Sequence, residues 1–242
     1  MASHSDDLTV VLIHGAFADA GSWAPVTERL VAAGVPVRAI ANPLRGVAAD
    51  SAYVAGVINQ TPGRVLAVGH SYGGAVITNA VPQTDNVAGL VYVAAFAPDE
   101  GEKLGDIVAG SQDSALTSAL QEEQYPTGQG SETATEVVID PARFREVFTA
   151  DLSQAQSDVY GLSQRPIAAS AFAEVNGPAA WKKLPVWSAV GTGDKAAGAD
   201  AVRSMARRAG ADITEIDGSH VIMISQPKAV TDVILKAYEA VA

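Results

Sequence analysis

A serine set between glycines, Gly69-His70-Ser71-Tyr72-Gly73, follows directly on the apolar run Val65-Leu66-Ala67-Val68 and leads into a stretch of helical character. That order of strand, serine and helix constrains the chain more than any other feature. A serine on a tight strand-to-helix turn takes up a strained backbone, and glycines two residues to either side keep neighbouring side chains clear of it. Its hydroxyl then stands free at the C-terminal edge of a sheet. The amide of Tyr72, in the first turn of the helix, faces the place where negative charge develops on an attacked carbonyl, and the helix dipole adds to its effect. Gly74 lets the helix lie close on the sheet. Ser71 is therefore a candidate nucleophile; the competing reading is a glycine-rich turn with a capping serine.

Strands and helices alternate on both sides of this turn. Thr9 to Ile13 is a β-branched run ending at His14-Gly15, after which Ser22 is expected to cap a helix with Val26, Leu30 and Val31 on one face and Gly34 at its end. Val35 to Ile40 reads as a strand, Asn42-Pro43 as a turn, and Val47 to Asn59 as a helix stopped by Thr61-Pro62-Gly63. The helix after Ser71 runs to about Val81, and Val87 to Ala94 returns as a buried strand. Strands separated by helices dictate an α/β fold, with a mostly parallel central sheet, right-handed crossovers and flanking helices. With 242 residues and 48% of them hydrophobic, the chain holds enough apolar material for one sizeable core.

From Pro98 to Pro185 the alternation stops. Gly101 to Gly130 is polar, and the segments after it are short and amphipathic, carrying Phe144, Phe148, Leu152, Tyr160 and Phe172. The expected organisation is a core of residues 1–97 and 186–242 with an inserted, mainly helical cap, 98–185, lying over Ser71. Phe17, Phe144, Phe148, Tyr160 and Phe172 are candidate substrate-binding residues, although aromatics at helical spacing also serve as plain core.

Sheet signal resumes at Pro185 to Val190 and ends in Gly191-Thr192-Gly193-Asp194; a helix over Ala199 to Ala209 and a strand over Asp212 to Ile216 lead to Asp217-Gly218-Ser219-His220. In a parallel sheet all strand C-termini share one edge, so Ser71, Asp194 and His220 can meet there. Of the four histidines, His4 lies in a polar tail, while His14 and His70 stand beside glycines at strand ends and suit loop hydrogen bonding. His220 is the candidate base, able to take the serine proton and return it to a leaving group. Asp194 is the candidate acid that fixes its tautomer, with Asp99 as runner-up; Asp217, too close in sequence to curl back, reads as a solvated turn. The second oxyanion donor is expected from the loop after the first strand, at Ala16 or else Phe17, where Gly15 permits close approach.

A net charge of −11 opposes association with polyanions such as nucleic acid or anionic membrane. The absence of cysteine excludes disulfides, thiol catalysis and thiolate metal sites. Met1 to Asp7 is polar and acidic, and no apolar stretch reaches membrane-spanning length, so a cytoplasmic enzyme, monomer or homodimer, is expected.

His14-Gly15-Ala16-Phe17 with Trp23 downstream, Gly-His-Ser-Tyr-Gly-Gly at 69–74, Ala95-Phe96-Ala97-Pro98-Asp99-Glu100-Gly101, Gly-Thr-Gly-Asp at 191–194 and Ser-His-Val-Ile-Met-Ile-Ser-Gln-Pro at 219–227 resemble an α/β-hydrolase. More narrowly, they resemble the small capped branch that includes plant methyl esterases, hydroxynitrile lyases and many bacterial esterases. The resemblance implies Ser71 as nucleophile, Asp194 as acid, His220 as base, the amides of Ala16 and Tyr72 as oxyanion hole, and no metal or organic cofactor. Lys195-Ala196-Ala197-Gly198 departs from the proline-containing turn of many relatives. Lyases of this branch carry a lysine after the histidine and a threonine in the oxyanion loop, where this chain has Val221 and Ala16. Epoxide hydrolases and dehalogenases of the fold need an aspartate nucleophile, while cofactor-free oxygenases and non-catalytic hormone receptors share it too, because one fold hosts several chemistries. The expected activity is hydrolysis of a small to medium, partly apolar or aromatic ester through an acyl-enzyme. The alternatives are a lactone or carbamate hydrolase, a hydroxynitrile lyase-like enzyme and a ligand-binding homologue.

Overall fold

A computed structural model describes residues 7–242; the tail that carries His4 lies outside the described residues. Its first half alternates β1 (Leu8–Ile13), α1 (Ala24–Ala32), β2 (Val37–Ile40), α2 (Val47–Asn59), β3 (Arg64–His70), α3 (Tyr72–Ala80) and β4 (Val87–Val93). After an insertion, β8 (Val186–Gly191), α7 (Ala199–Arg208), β9 (Asp212–Ile216), the short α8 (Ile222–Ser225) and α9 (Pro227–Val241) complete the core. The six strands form one sheet in the order β2-β1-β3-β4-β8-β9, with every pairing parallel.

Topology sets the site. The chain steps from β1 to β2 in one direction and from β2 to β3 and β4 in the other. Right-handed crossovers therefore send α1 to one face and α2 and α3 to the other. The packing agrees: α1 lies against α9, α2 against α3. The order reverses between β1 and β3, and a crevice opens there at the strand C-termini. Buried runs such as Val10 to Ile13 and Val65 to Val68 fill both faces, as a sheet covered on both sides requires.

Two local expectations are corrected. Ser22 does not cap α1; it lies inside a 3₁₀ turn, Ala20–Trp23, which Asp19 caps through the Gly21 amide, and its hydroxyl donates to the Asp19 carbonyl. That turn and Pro25 start the helix instead. Val31 is 61% exposed, because the buried face of α1 runs through Val26 and Leu30 and turns Val31 to solvent.

The insertion carries a small sheet beside its helices. It holds α4 (Leu104–Gly110), α5 (Pro141–Val147) and α6 (Gln154–Leu162), and also an antiparallel sheet of β5 (Leu120–Pro126), β6 (Thr133–Ile139) and the two-residue β7 (Ile167–Ala168). A core residue ties this sheet down: the Arg45 guanidinium bonds Glu136 at 2.6 Å and lies 4.3 Å from the Tyr125 ring centre.

Candidate active site

Ser71 sits alone between β3 and α3 with φ 52° and ψ −124°. A side chain there costs on the order of 1–3 kcal/mol and persists only where surroundings over-determine it. They do so here. The Ser71 amide donates to the Val93 carbonyl at 3.3 Å, and its carbonyl accepts from the amides of Gly74 at 2.9 Å and Phe96 at 3.1 Å. Phe17, Leu44 and Ala94, beyond the ends of β1, β2 and β4, also have positive φ, so backbone strain gathers along this one sheet edge. Glycine is required where chain crowds chain: a β-carbon at Gly15 would lie 2.6 Å from Cβ of Ser71, and one at Gly74 would strike the Phe96 carbonyl.

Asp194 follows β8 and His220 follows β9, and the two meet. Nδ1 of His220 lies 2.8 Å from Oδ2 of Asp194, with each residue 1% exposed. The other carboxylate oxygen accepts the amides of Ala196 at 2.9 Å and Ala197 at 3.0 Å. Because a carboxylate only accepts, Nδ1 carries the proton and Nε2 presents a lone pair. Nε2 is buried without a hydrogen-bond partner, so Ser71 and His220 are not bonded to each other in this state. Asp99 is engaged elsewhere, 2.5 Å from Nζ of Lys182, and Asp217 is exposed.

The other two described histidines hold backbone. Nε2 of His70 lies 3.0 Å from the His220 carbonyl, which fixes the proton on Nε2 and leaves Nδ1 buried and bare. The two rings are 4.8 Å apart. Burial, with His220 beside it, pulls the His70 pKa well below the ordinary 6.5, so the ring stays neutral. His14 has the opposite tautomer: Nε2 accepts the Asn42 amide at 2.9 Å and Nδ1 donates to the Gly15 carbonyl at 2.8 Å. Burial lowers its pKa as well. In a trans peptide the carbonyl and the following N–H point to opposite sides, so this bond turns the Ala16 N–H away from His14. The Tyr72 amide belongs to the first turn of α3 and has no carbonyl four residues back within the helix. Its phenol donates to buried Asp50 at 2.7 Å, pinning α3 to α2. Burial raises the Asp50 carboxyl.

Phe17, Phe144, Phe148 and Tyr160 line one cavity of about 260 Å³, together with Asp19, Ser22, Val221 and Met223; no lysine or arginine is among its lining residues. Ser71 and His220 do not line it. Phe148 stands between, its ring centre 4.8 Å from that of His220 and 6.0 Å from that of Phe17. Phe172 does not belong to this site. It follows β7 and packs over Gly105 of α4, lining a separate cavity with Val108, Leu120 and Val137. The bond between Asp50 and Tyr72 had no local sequence signal, since its partners are 22 residues apart, whereas the Ala196 and Ala197 amides bond Asp194 within three residues.

Among the described residues no group of three or more His, Cys, Asp and Glu is arranged to hold a metal ion, and no helix is long and apolar enough to cross a membrane. A serine at positive φ and a buried His–Asp pair thus stand at the C-terminal edge of one sheet.

No curated protein matches the sequence. Solved structures do match the fold: a methylesterase from Arabidopsis at 19% identity and TM-score 0.77, covering 96% of this chain and 99% of that one; a pyrethroid hydrolase from Sphingobium faniae JZ-2 at 20% and 0.75, covering 96% and 98%; and polyneuridine aldehyde esterase at 20% and 0.78, covering 96% and 100%. Residues 10–233 match the Alpha/beta hydrolase family. The chain is a member of the alpha/beta hydrolase family.

Proposed function

We propose that the chain is a serine carboxylic-ester hydrolase with Ser71 as nucleophile, His220 as base and Asp194 as acid. The observation that carries this reading is the bare, buried Nε2 of His220, whose opposite nitrogen Asp194 holds at 2.8 Å, at the same sheet edge as the strained Ser71. Approach of the Ser71 hydroxyl to Nε2 forms the attacking pair; catalytic hydrogen bonds are often long before substrate binds. His220 takes the proton as Ser71 attacks the ester carbonyl, and Asp194 stabilises the imidazolium. The amides of Ala16 and Tyr72 receive the oxyanion, each donor contributing about 3 kcal/mol to lowering the barrier. His220 returns the proton to the departing alcohol, and water releases the acyl group by the same steps.

The cavity supports a small to medium, uncharged, partly aromatic ester: it has aromatic walls, about 260 Å³ and no lining cation to hold a carboxylate or phosphate. Lactones and carbamates would use the same groups. A methylesterase and an aldehyde esterase among the structural neighbours are consistent with ester cleavage. The test is a panel of nitrophenyl esters of increasing acyl length with one lactone and one cyanohydrin. Turnover of short-chain esters, abolished in Ser71→Ala, is expected; cyanohydrin cleavage without ester turnover would overturn the reading.

A further inference from the structure

We propose that Asp151, on the inserted cap, is a positioning residue for His220, so that the cap itself sets the register of the proton-transferring group; this inference rests on the ester-hydrolase reading above. Asp151 lies between α5 and α6. Its Oδ2 accepts the Ser219 amide at 2.9 Å and its Oδ1 accepts the Ser219 hydroxyl. Ser219 immediately precedes His220 and is buried. The same hydroxyl lies 3.2 Å from the Phe148 carbonyl, but it has one proton to give, and a carboxylate is the stronger acceptor. Burial works to raise the Asp151 carboxyl, and the hydrogen bonds from Ser219 and Ser225 outweigh it and hold the group below the ordinary carboxylate value. It remains an ionised acceptor at neutral pH.

The core holds this loop by the Gly193 amide to the Gly218 carbonyl at 2.9 Å, His70 Nε2 to the His220 carbonyl at 3.0 Å and the Asp194 carboxylate to His220 Nδ1 at 2.8 Å. The cap adds a further hold on the residue before the base. Asp151 grips the backbone just before His220, and three residues earlier Phe148 lays its ring 4.8 Å from the imidazole. One short segment therefore fixes the base and covers it, although Asp151 does not line the cavity. Lifting the segment to admit substrate frees Ser219; reseating it restores His220 to register. Cap closure and alignment of the base become a single equilibrium.

The test compares the full-length wild type with Asp151→Ala, Asp151→Asn and Ser219→Ala on p-nitrophenyl acetate, alongside the rate of fluorophosphonate labelling. Asp151→Ala is expected to lower kcat roughly 10- to 100-fold, as loss of supporting hydrogen bonds behind a reactive group does, with KM nearly unchanged and labelling slowed in proportion. Asp151→Asn keeps one acceptor oxygen and Ser219→Ala keeps the amide arm, so each should lose less. If the alanine variant does not fold, the isosteric asparagine carries the test and must still lower kcat. Unchanged kcat, or a loss confined to KM, overturns the inference. A wild type inert to ester and fluorophosphonate alike removes the hydrolase reading and this inference with it, whereas an active wild type with an unaffected Asp151 variant removes the inference alone.

Discussion

Ser71 holds a φ of 52° that a glycine would adopt without cost, and the whole reading turns on why a side chain is kept there. On the proposed reading the strained turn is what sets the hydroxyl apart from the helix, so strain and reactivity would share one cause. Two substitutions separate them. Ser71→Ala and Ser71→Gly should both lose about six orders of magnitude in turnover, as when a cooperating set loses its nucleophile. Ser71→Gly should nonetheless be more stable than Ser71→Ala to urea unfolding by about 1 kcal/mol, strain relief of 1–3 kcal/mol less the glycine entropy; equal stabilities would show that the turn stores no strain. Gly15 makes a complementary case. A β-carbon there would lie 2.6 Å from Cβ of Ser71, so Gly15→Ala should collapse kcat while circular dichroism stays native; full activity would mean the two loops do not meet as described.

The elements of the core are legible because each obeys its own period. Val47–Asn59 and Asp212–Ile216 coincide with the ranges read from apolar spacing and turn residues. The cap hairpin is not legible, since Gln121-Glu122-Glu123-Gln124 in β5 shows no apolar alternation and stays exposed. What makes it a strand is long-range: pairing with β6, and Arg45 reaching from the core to Glu136 and the Tyr125 face. Phe172 fails as a pocket residue for a related reason, because helical spacing states which side is apolar but not which neighbour it meets. The site divides in the same way. Ser71, Asp194 and His220 are readable at strand ends, whereas Asp151 is known only once distant loops are brought together. If Arg45 is the tether, Arg45→Ala should speed limited proteolysis at the β5–β6 turn several-fold without lowering the global melting temperature by more than a few degrees; unchanged cleavage would assign the hairpin's order to its own pairing.

Across the molecule, buried neutral histidines link the site to stability. His14 and His70 both have pKa values lowered from 6.5, burial being the largest cause. In the unfolded chain they protonate first as pH falls, so the stability they permit is complete above about 6.5 and is lost as pH drops toward their folded values. The urea midpoint should therefore fall from about pH 7 to pH 5.5, and less steeply in His70→Gln, which keeps a donor for the His220 carbonyl but does not titrate; identical slopes would mean His70 is not buried as a neutral ring. The most direct test is covalent. A fluorophosphonate should modify the wild type once, on the peptide containing Ser71, and His220→Ala should slow that reaction by orders of magnitude; no adduct, an adduct at another residue, or an equal rate without the imidazole would contradict the assignment.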